Sequence, residues 1–270
     1  MESPDIKTIL VRADTTTNGR YANQFIRAFA AHFISQNLCA QPFYPPINLT
    51  KLGITLYKPS TESQNIGVPQ KVINLEEDTF MDYAKTEMAL SETATPNLQD
   101  NTLLDLNHIY CQTPEHALKI NEFLRHPENQ VRIIQANSNN PRYDANNDVF
   151  IHVRLGDVPH HNPGYEYYNK VLSGLEFTNG YISSDTINNP ICRKLIHKYR
   201  LQIINPHALI EDILQFGSTC KYLVLSAGTF SWLFGVLGFN SQIYYPDPEL
   251  KRRWHGNIFE CMPGWNKISY

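Results

Sequence analysis

Asp148-Val149-Phe150-Ile151-His152-Val153-Arg154-Leu155-Gly156-Asp157 is the stretch whose reading decides the fold. Its apolar run predicts a strand, and Arg-Leu-Gly-Asp predicts the turn that ends it. Downstream the same alternation continues: helix over 165–176, strand over 181–183, and a helix capped by Asn189-Pro190 that runs through Arg193 to Tyr199. Strand 201–204, helix 208–216 closed by Gly217, strand 221–225, helix 229–239 and strand 242–245 complete the series. Strands and helices alternating at this spacing build a parallel sheet covered on both faces, and such sheets bind ligands outside the carboxyl ends of their strands. Functional residues are therefore expected just after the strands.

Upstream, strand 7–11, a polar loop over 14–19 and an apolar stripe through Ala22, Phe25, Ile26, Phe29, Ala30 and Phe33 form another strand-loop-helix unit. Segments 42–46 and 51–59 read as short strands or loops, and Thr113-Pro114-Glu115 opens a helix reaching about His126. The polar stretch 137–147, around Pro141 and Arg142, is the expected linker between a domain over 1–147 and one over 148–270.

The chain has 270 residues, 42% of them hydrophobic and 18% charged, which excludes disorder, collagen and coiled coil. With 23 Lys and Arg against 26 Asp and Glu, the net charge of -3 offers no global basic field for a nucleic acid or an anionic membrane. Five scattered cysteines without a C-x-x-C pair signal neither zinc nor a disulfide framework and favour a reducing compartment. Charges at Glu2, Asp5, Lys7, Arg12, Asp14 and Arg20 leave no room for a signal peptide. The uncharged run 222–246 contains Ser226, Thr229, Ser231 and three glycines, so strand, turn and helix are expected there rather than membrane insertion. A soluble, cytoplasmic protein is the expectation.

His152 and Arg154 stand two residues apart at a strand end, so they are expected to share a face and a site. Arginine grips a pyrophosphate bidentately, and Gly156 permits close backbone approach. The plainer alternative is that Arg154 pairs with Asp157 to tie the turn; the strand-end position favours the ligand. In Val224-Leu225-Ser226-Ala227-Gly228-Thr229-Phe230-Ser231-Trp232 a strand passes into a helix whose free N–H groups, with the Thr229 and Ser231 hydroxyls, suit a phosphate or form an ordinary cap. Asn18-Gly19-Arg20-Tyr21-Ala22-Asn23-Gln24 marks the turn into the first helix. His160-His161 lacks a third metal ligand at suitable spacing. Neither a P-loop nor G-x-G-x-x-G occurs.

Together these segments resemble the GDP-fucose-dependent fucosyltransferases, the superfamily of alpha-1,2-, alpha-1,6- and protein O-fucosyltransferases. Gly19-Arg20-Tyr21-Ala22-Asn23-Gln24 is similar to their G-R-x-G-N-Q motif, and His152-Val153-Arg154-Leu155-Gly156-Asp157 to H-V-R-R-G-D. Tyr181-Ile182-Ser183-Ser184-Asp185 resembles the family strand ending in S-D, and Ser226 to Leu233 resembles the S-S-F-S-W-W segment of the alpha-1,2 branch. Where that branch has a second arginine this chain has Leu155; the protein O-fucosylating branch manages with one.

The resemblance implies an α/β GT-B glycosyltransferase: two Rossmann-like lobes, an acceptor-side lobe over 1–147, a GDP-sugar lobe over 148–270, and the donor in the cleft. It implies inverting, metal-independent transfer of L-fucose from GDP-fucose, a substrate rather than a cofactor, to a glycan hydroxyl. Arg154 would hold the beta-phosphate and act as the catalytic residue, His152 the nucleoside, and Thr229, Phe230 and Ser231 the phosphate. Arg20 and Asn23 would close over the donor, Asp157 and Asp185 join the donor site, and Asp212, next to Glu211, would read guanine. His160, His161 and Asp157 remain open as the base. The chain looks like a soluble bacterial or viral counterpart of the anchored animal enzymes. Use of another GDP-sugar, such as mannose or rhamnose, and a non-catalytic nucleotide-sugar binding module are the rival readings.

Overall fold

Parallel strands cannot be joined by tight turns, so each connection climbs back over the sheet, and this chain does so twice over. The computed structural model describes residues 9–15, 19–59, 69–85, 101–157, 159, 162–247 and 257–270. Asn18, His160, His161 and the first two residues of the expected strand 7–11 lie outside them. The chain divides into two compact units, one of 1–47 and 55–120, the other of 48–54 and 121–270.

The first unit holds β1 (Ile9–Arg12), α1 (Tyr21–Leu38), β2 (Gln41–Phe43), β3 (Lys71–Asn74) and β4 (Thr102–Asp105). Its sheet has the order β2-β1-β4-β3, with every pairing parallel. The apolar stripe makes α1 a buried helix, with Phe25, Phe29 and Ile34 fully enclosed. It ends where Cys39 turns left-handed (φ 51°) and its N–H returns to Ser35 O. Helix α2 (Pro114–Arg125) starts at proline, as expected, and the boundary between the units falls within it.

The second unit adds α3 (Pro127–Ala136), β5 (Val149–Val153), α4 (Tyr165–Ser173), β6 (Gly180–Ser184), α5 (Pro190–Tyr199) and β7 (Gln202–Ile203). It closes with α6 (Ile210–Gly217), β8 (Tyr222–Val224), α7 (Thr229–Leu237), β9 (Gln242–Pro246) and β10 (Asn266–Ile268). The sheet runs β10-β9-β8-β5-β6-β7, all parallel. Each unit is thus of the expected α/β class. Strand β5 is buried along its whole length. Val149, Ile151 and Val153 pack with Tyr167, Tyr168 and Leu155 on one side, while Phe150 and His152 meet the ring of Phe234 from α7 on the other. Among the described residues no helix is long and apolar enough to cross a membrane; the uncharged run 222–246 holds β8, α7 and β9.

Two local expectations change. The stretch read as strands or loops over 51–59 begins with a 3-10 turn, Leu49–Leu52, whose start is capped by Asn48 Oδ1 accepting from Lys51 N–H (3.1 Å). The expected linker 137–147 is bound into the second unit: Asn137 Nδ2 donates to Gln215 O (2.9 Å), Arg142 Nη2 to Asp148 (2.8 Å) and Asn146 Nδ2 to Thr219 O (2.9 Å). Asn137, Arg142 and Asn146 thus tie it to the interior, while Ser138, Asn140 and Asp144 are exposed.

Burial leaves three histidines uncharged. His32, which accepts from Tyr57 N–H (2.8 Å), His116 and His152 are each pushed down to about 4 by desolvation. In the unfolded chain these rings titrate near 6.5, so below about that pH the unfolded state takes up protons that the native state refuses. Stability should therefore be full above about pH 6.5 and fall progressively towards about pH 4. Urea midpoints measured across that window test this; a flat profile would contradict three neutral buried rings.

Candidate functional site

The carboxyl ends of β8, β5 and β6 lie side by side, because these three strands are neighbours in the sheet. The chain leaves β5 for β6 and β7, then crosses back to place β8 on the other side of β5. That reversal is a topological switch point, the place where open α/β sheets bind ligands. Three of the sequence-selected segments end there: 154–157 after β5, Asp185 after β6, and 226–231 after β8.

Register accounts for the first contact. Val153 pairs with Ser184, so Arg154 and Asp185 follow as neighbours on the two strands. Arg154 Nη1 donates to Asp185 and Nη2 to Asp157, while Asp185 Oδ1 also accepts from Leu155 N–H (3.0 Å) and Gly156 N–H (3.1 Å). Burial pushes the Asp185 pKa up, but those two amides and the Arg154 charge outweigh it, and the carboxyl stays below its ordinary range. The turn-tying pair Arg154–Asp157, the plainer alternative from the sequence, is therefore present. It shares the guanidinium with Asp185, which a local i, i+3 reading misses.

His152, two residues before Arg154, feels the charges of both Arg154 and Asp185. It is buried, with Nδ1 2.6 Å from Ser231 Oγ and its ring packed against Phe230 and Phe234. Ser231 Oγ also accepts from Ser226 N–H (3.1 Å), so one hydroxyl joins β5, the β8 turn and the first turn of α7. Thr229 begins α7 and is buried; Phe230 is half-buried. The amino terminus of α7 therefore opens at the switch point from a rigid base.

Asp212 stands in the first turn of α6, after the edge strand β7, and its carboxylate pairs with Lys51 Nζ (2.6 Å). Glu211 beside it is buried. Asp212 is thus on the carboxyl side of the sheet, two strands along from β5, with an ion partner that nothing in the local sequence announces.

In the first unit the Gly19–Gln24 segment has its own geometry. Gly19 has φ +100°, and a Cβ there would lie 2.1 Å from Asn23 Nδ2, so only glycine fits under Asn23. Asn23 Oδ1 accepts from Gln112 Nε2 (3.0 Å). The neighbouring backbone is fixed by Glu77, whose carboxylate accepts from the N–H groups of Tyr110 (2.8 Å), Cys111 (3.0 Å) and Gln112 (2.5 Å). Arg20 is exposed at the start of α1.

Sequence reasoning passed over the pair Arg12 and Asp105. They are register partners at the carboxyl ends of β1 and β4, 2.5 Å apart, where the first sheet reverses direction. The buried Arg27 reaches the loops beyond both strands, donating to Asn107 O (3.2 Å) and Thr15 O (2.9 Å). An arginine as the last residue of a short apolar strand was the available signal, the same one that singled out Arg154.

No family model and no curated protein sequence matches the chain. Among solved structures, it is similar to POFUT1 in complex with GDP-fucose, with 11% identity, a TM-score of 0.47, and coverage of 87% of this chain and 96% of that one. POFUT1 in complex with GDP gives a TM-score of 0.44 at 11% identity, and its apo form 0.45 at 10%, each with the same coverage.

Proposed function

We propose that the chain transfers L-fucose from GDP-fucose to a hydroxyl of a glycan acceptor, with inversion and without a metal ion. The observation that carries this reading is the placement of Arg154 and the α7 amino terminus on adjacent strands, β5 and β8, at the switch point of the second sheet. The motif resemblance supplies the donor.

In this reading the acceptor oxygen attacks the anomeric carbon from the face opposite GDP, through an oxocarbenium-like transition state. Negative charge grows on the departing beta-phosphate. Arg154 and the N–H groups at Thr229, Phe230 and Ser231 take up that charge, the task a divalent ion performs elsewhere. His152 contributes through Ser231, which it holds in place. Asp212 reads guanine, because a carboxylate accepts from both the ring N–H and the exocyclic amine, which uracil and adenine do not present together.

Nucleotide choice tests the donor. GDP should raise the melting temperature well above the rise given by UDP at equal concentration, and Asp212→Asn should shrink the difference. Equal stabilisation by both nucleotides would remove Asp212 from the site. Turnover of GDP-fucose should persist in excess EDTA; activity abolished by EDTA and restored by Mg²⁺ or Mn²⁺ would assign the charge stabilisation to a metal.

Arg154 and Leu155 separate chemistry from packing. Leu155 lies in the core with Tyr167 and Tyr168, so Leu155→Ala should cost roughly 2–5 kcal/mol of stability and leave the folded fraction active. Arg154→Ala should lower kcat by about 10²-fold or more with a smaller effect on melting. Melting curves and steady-state kinetics on both variants decide the matter, and an active Arg154→Ala enzyme would overturn the assignment.

A further inference from the structure

Arg154 is held between two carboxylates that differ in their exposure to solvent. Asp185 accepts from two backbone amides as well as from the guanidinium, and its side chain is 21% exposed. The backbone is shaped around it: a Cβ on Gly156 would stand 2.5 Å from Asp185 Oδ2. Asp157 reaches Arg154 from three residues along the same loop, with its side chain 55% exposed. One cation facing two anions leaves a formal excess of negative charge where a phosphate must come to reach Arg154, and the guanidinium already gives a donor on each Nη to a carboxylate. Three guanidinium donors remain, but an incoming phosphate meets that excess of negative charge, and release of one carboxylate relieves it.

We infer that Asp157 is an exchangeable stand-in for the ligand's phosphate, released from Arg154 when the ligand arrives, whereas Asp185 stays on Arg154 as a fixed positioning residue. The inference rests on the reading that Arg154 receives the donor's phosphate. It assigns opposite effects to two acidic residues that share one arginine. Removing the Asp157 charge strips away a competitor; removing the Asp185 charge frees the guanidinium to turn out of line and loosens the Leu155–Gly156 backbone.

Calorimetric titration with GDP and, separately, with inorganic pyrophosphate tests it on the wild-type chain, Asp157→Asn, Asp185→Asn, Gly156→Ala and Arg154→Ala. Asp157→Asn should bind both ligands about three- to tenfold more tightly. Asp185→Asn and Gly156→Ala should bind them about tenfold more weakly. The Arg154 Nε–H resonance, identified by its loss in Arg154→Ala, should be sharp in the wild type and broadened in folded Asp185→Asn, a change that mere loss of stability does not produce. Unchanged or weaker binding by Asp157→Asn overturns the exchange, and that exposed site decides alone if Asp185→Asn fails to fold. Pyrophosphate following the expected order while GDP binds no better keeps the exchange and removes the nucleotide reading. Pyrophosphate affinity indifferent to Arg154→Ala overturns both.

Discussion

Parallel pairing of β5 with β6 on one side and β8 on the other is the constraint on which the candidate site depends. Parallel neighbours must be joined by crossovers, so the carboxyl ends of all three strands open at one edge, and the loops that follow them have to meet there. Register then fixes which residues meet. Because Val153 stands opposite Ser184, the next residues, Arg154 and Asp185, emerge together. A slip of one position would turn Arg154 into the space that Leu155 fills in the core.

Against that frame, the bond between His152 and Ser231 acts as a rivet between strand and helix. A polar pair this deep is costly unless both partners are satisfied, and Ser231 Oγ is, through His152 Nδ1 and Ser226 N–H. The ring stays neutral because burial drives its pKa down to about 4, so the bond does not depend on a charge at neutral pH. The amino terminus of α7 is thereby tied to β5 through two side chains that are themselves buried.

Much of the second unit was legible, since β5, β8 and α7 are apolar runs, β6 ends in hydroxyl residues and α5 opens at Asn189-Pro190. Strand β3 was not: Lys71–Asn74 is mostly exposed at a sheet edge, so it carries no buried alternation to read. At the site, Arg154 could be chosen from its strand-end position and Asp157 from its spacing. The hold of Asp185 on the Leu155 and Gly156 amides could not be, because it is a property of register between residues about thirty positions apart. The same holds for Arg12 and Asp105, which are distant in sequence yet paired across β1 and β4. The inward ties of 137–147 escaped for a related reason: Asn137, Arg142 and Asn146 read as solvated loop, and only the partners Gln215, Asp148 and Thr219 show them to be internal ties.

Asp212 already has an ion partner in Lys51, which any ligand role proposed for it has to overcome. Lys51 belongs to the short segment 48–54, which is sewn into the second unit by Gln215 Nε2 donating to Lys51 O (2.8 Å) and Arg132 Nε donating to Gly53 O (3.1 Å). The backbone around Lys51 is thus held by two side chains of the same unit. The ion pair itself is weak: with Asp212 45% exposed, such a pair is worth about 0–1 kcal/mol. On the proposed reading, hydrogen bonds from two ring donors to that charged acceptor, worth about 1.5–3 kcal/mol each, would outweigh the ion pair they replace. A base presenting one donor would gain far less from the exchange. The ion pair would then sharpen selectivity, since every nucleotide would have to break it and only a base with both donors would be repaid in full.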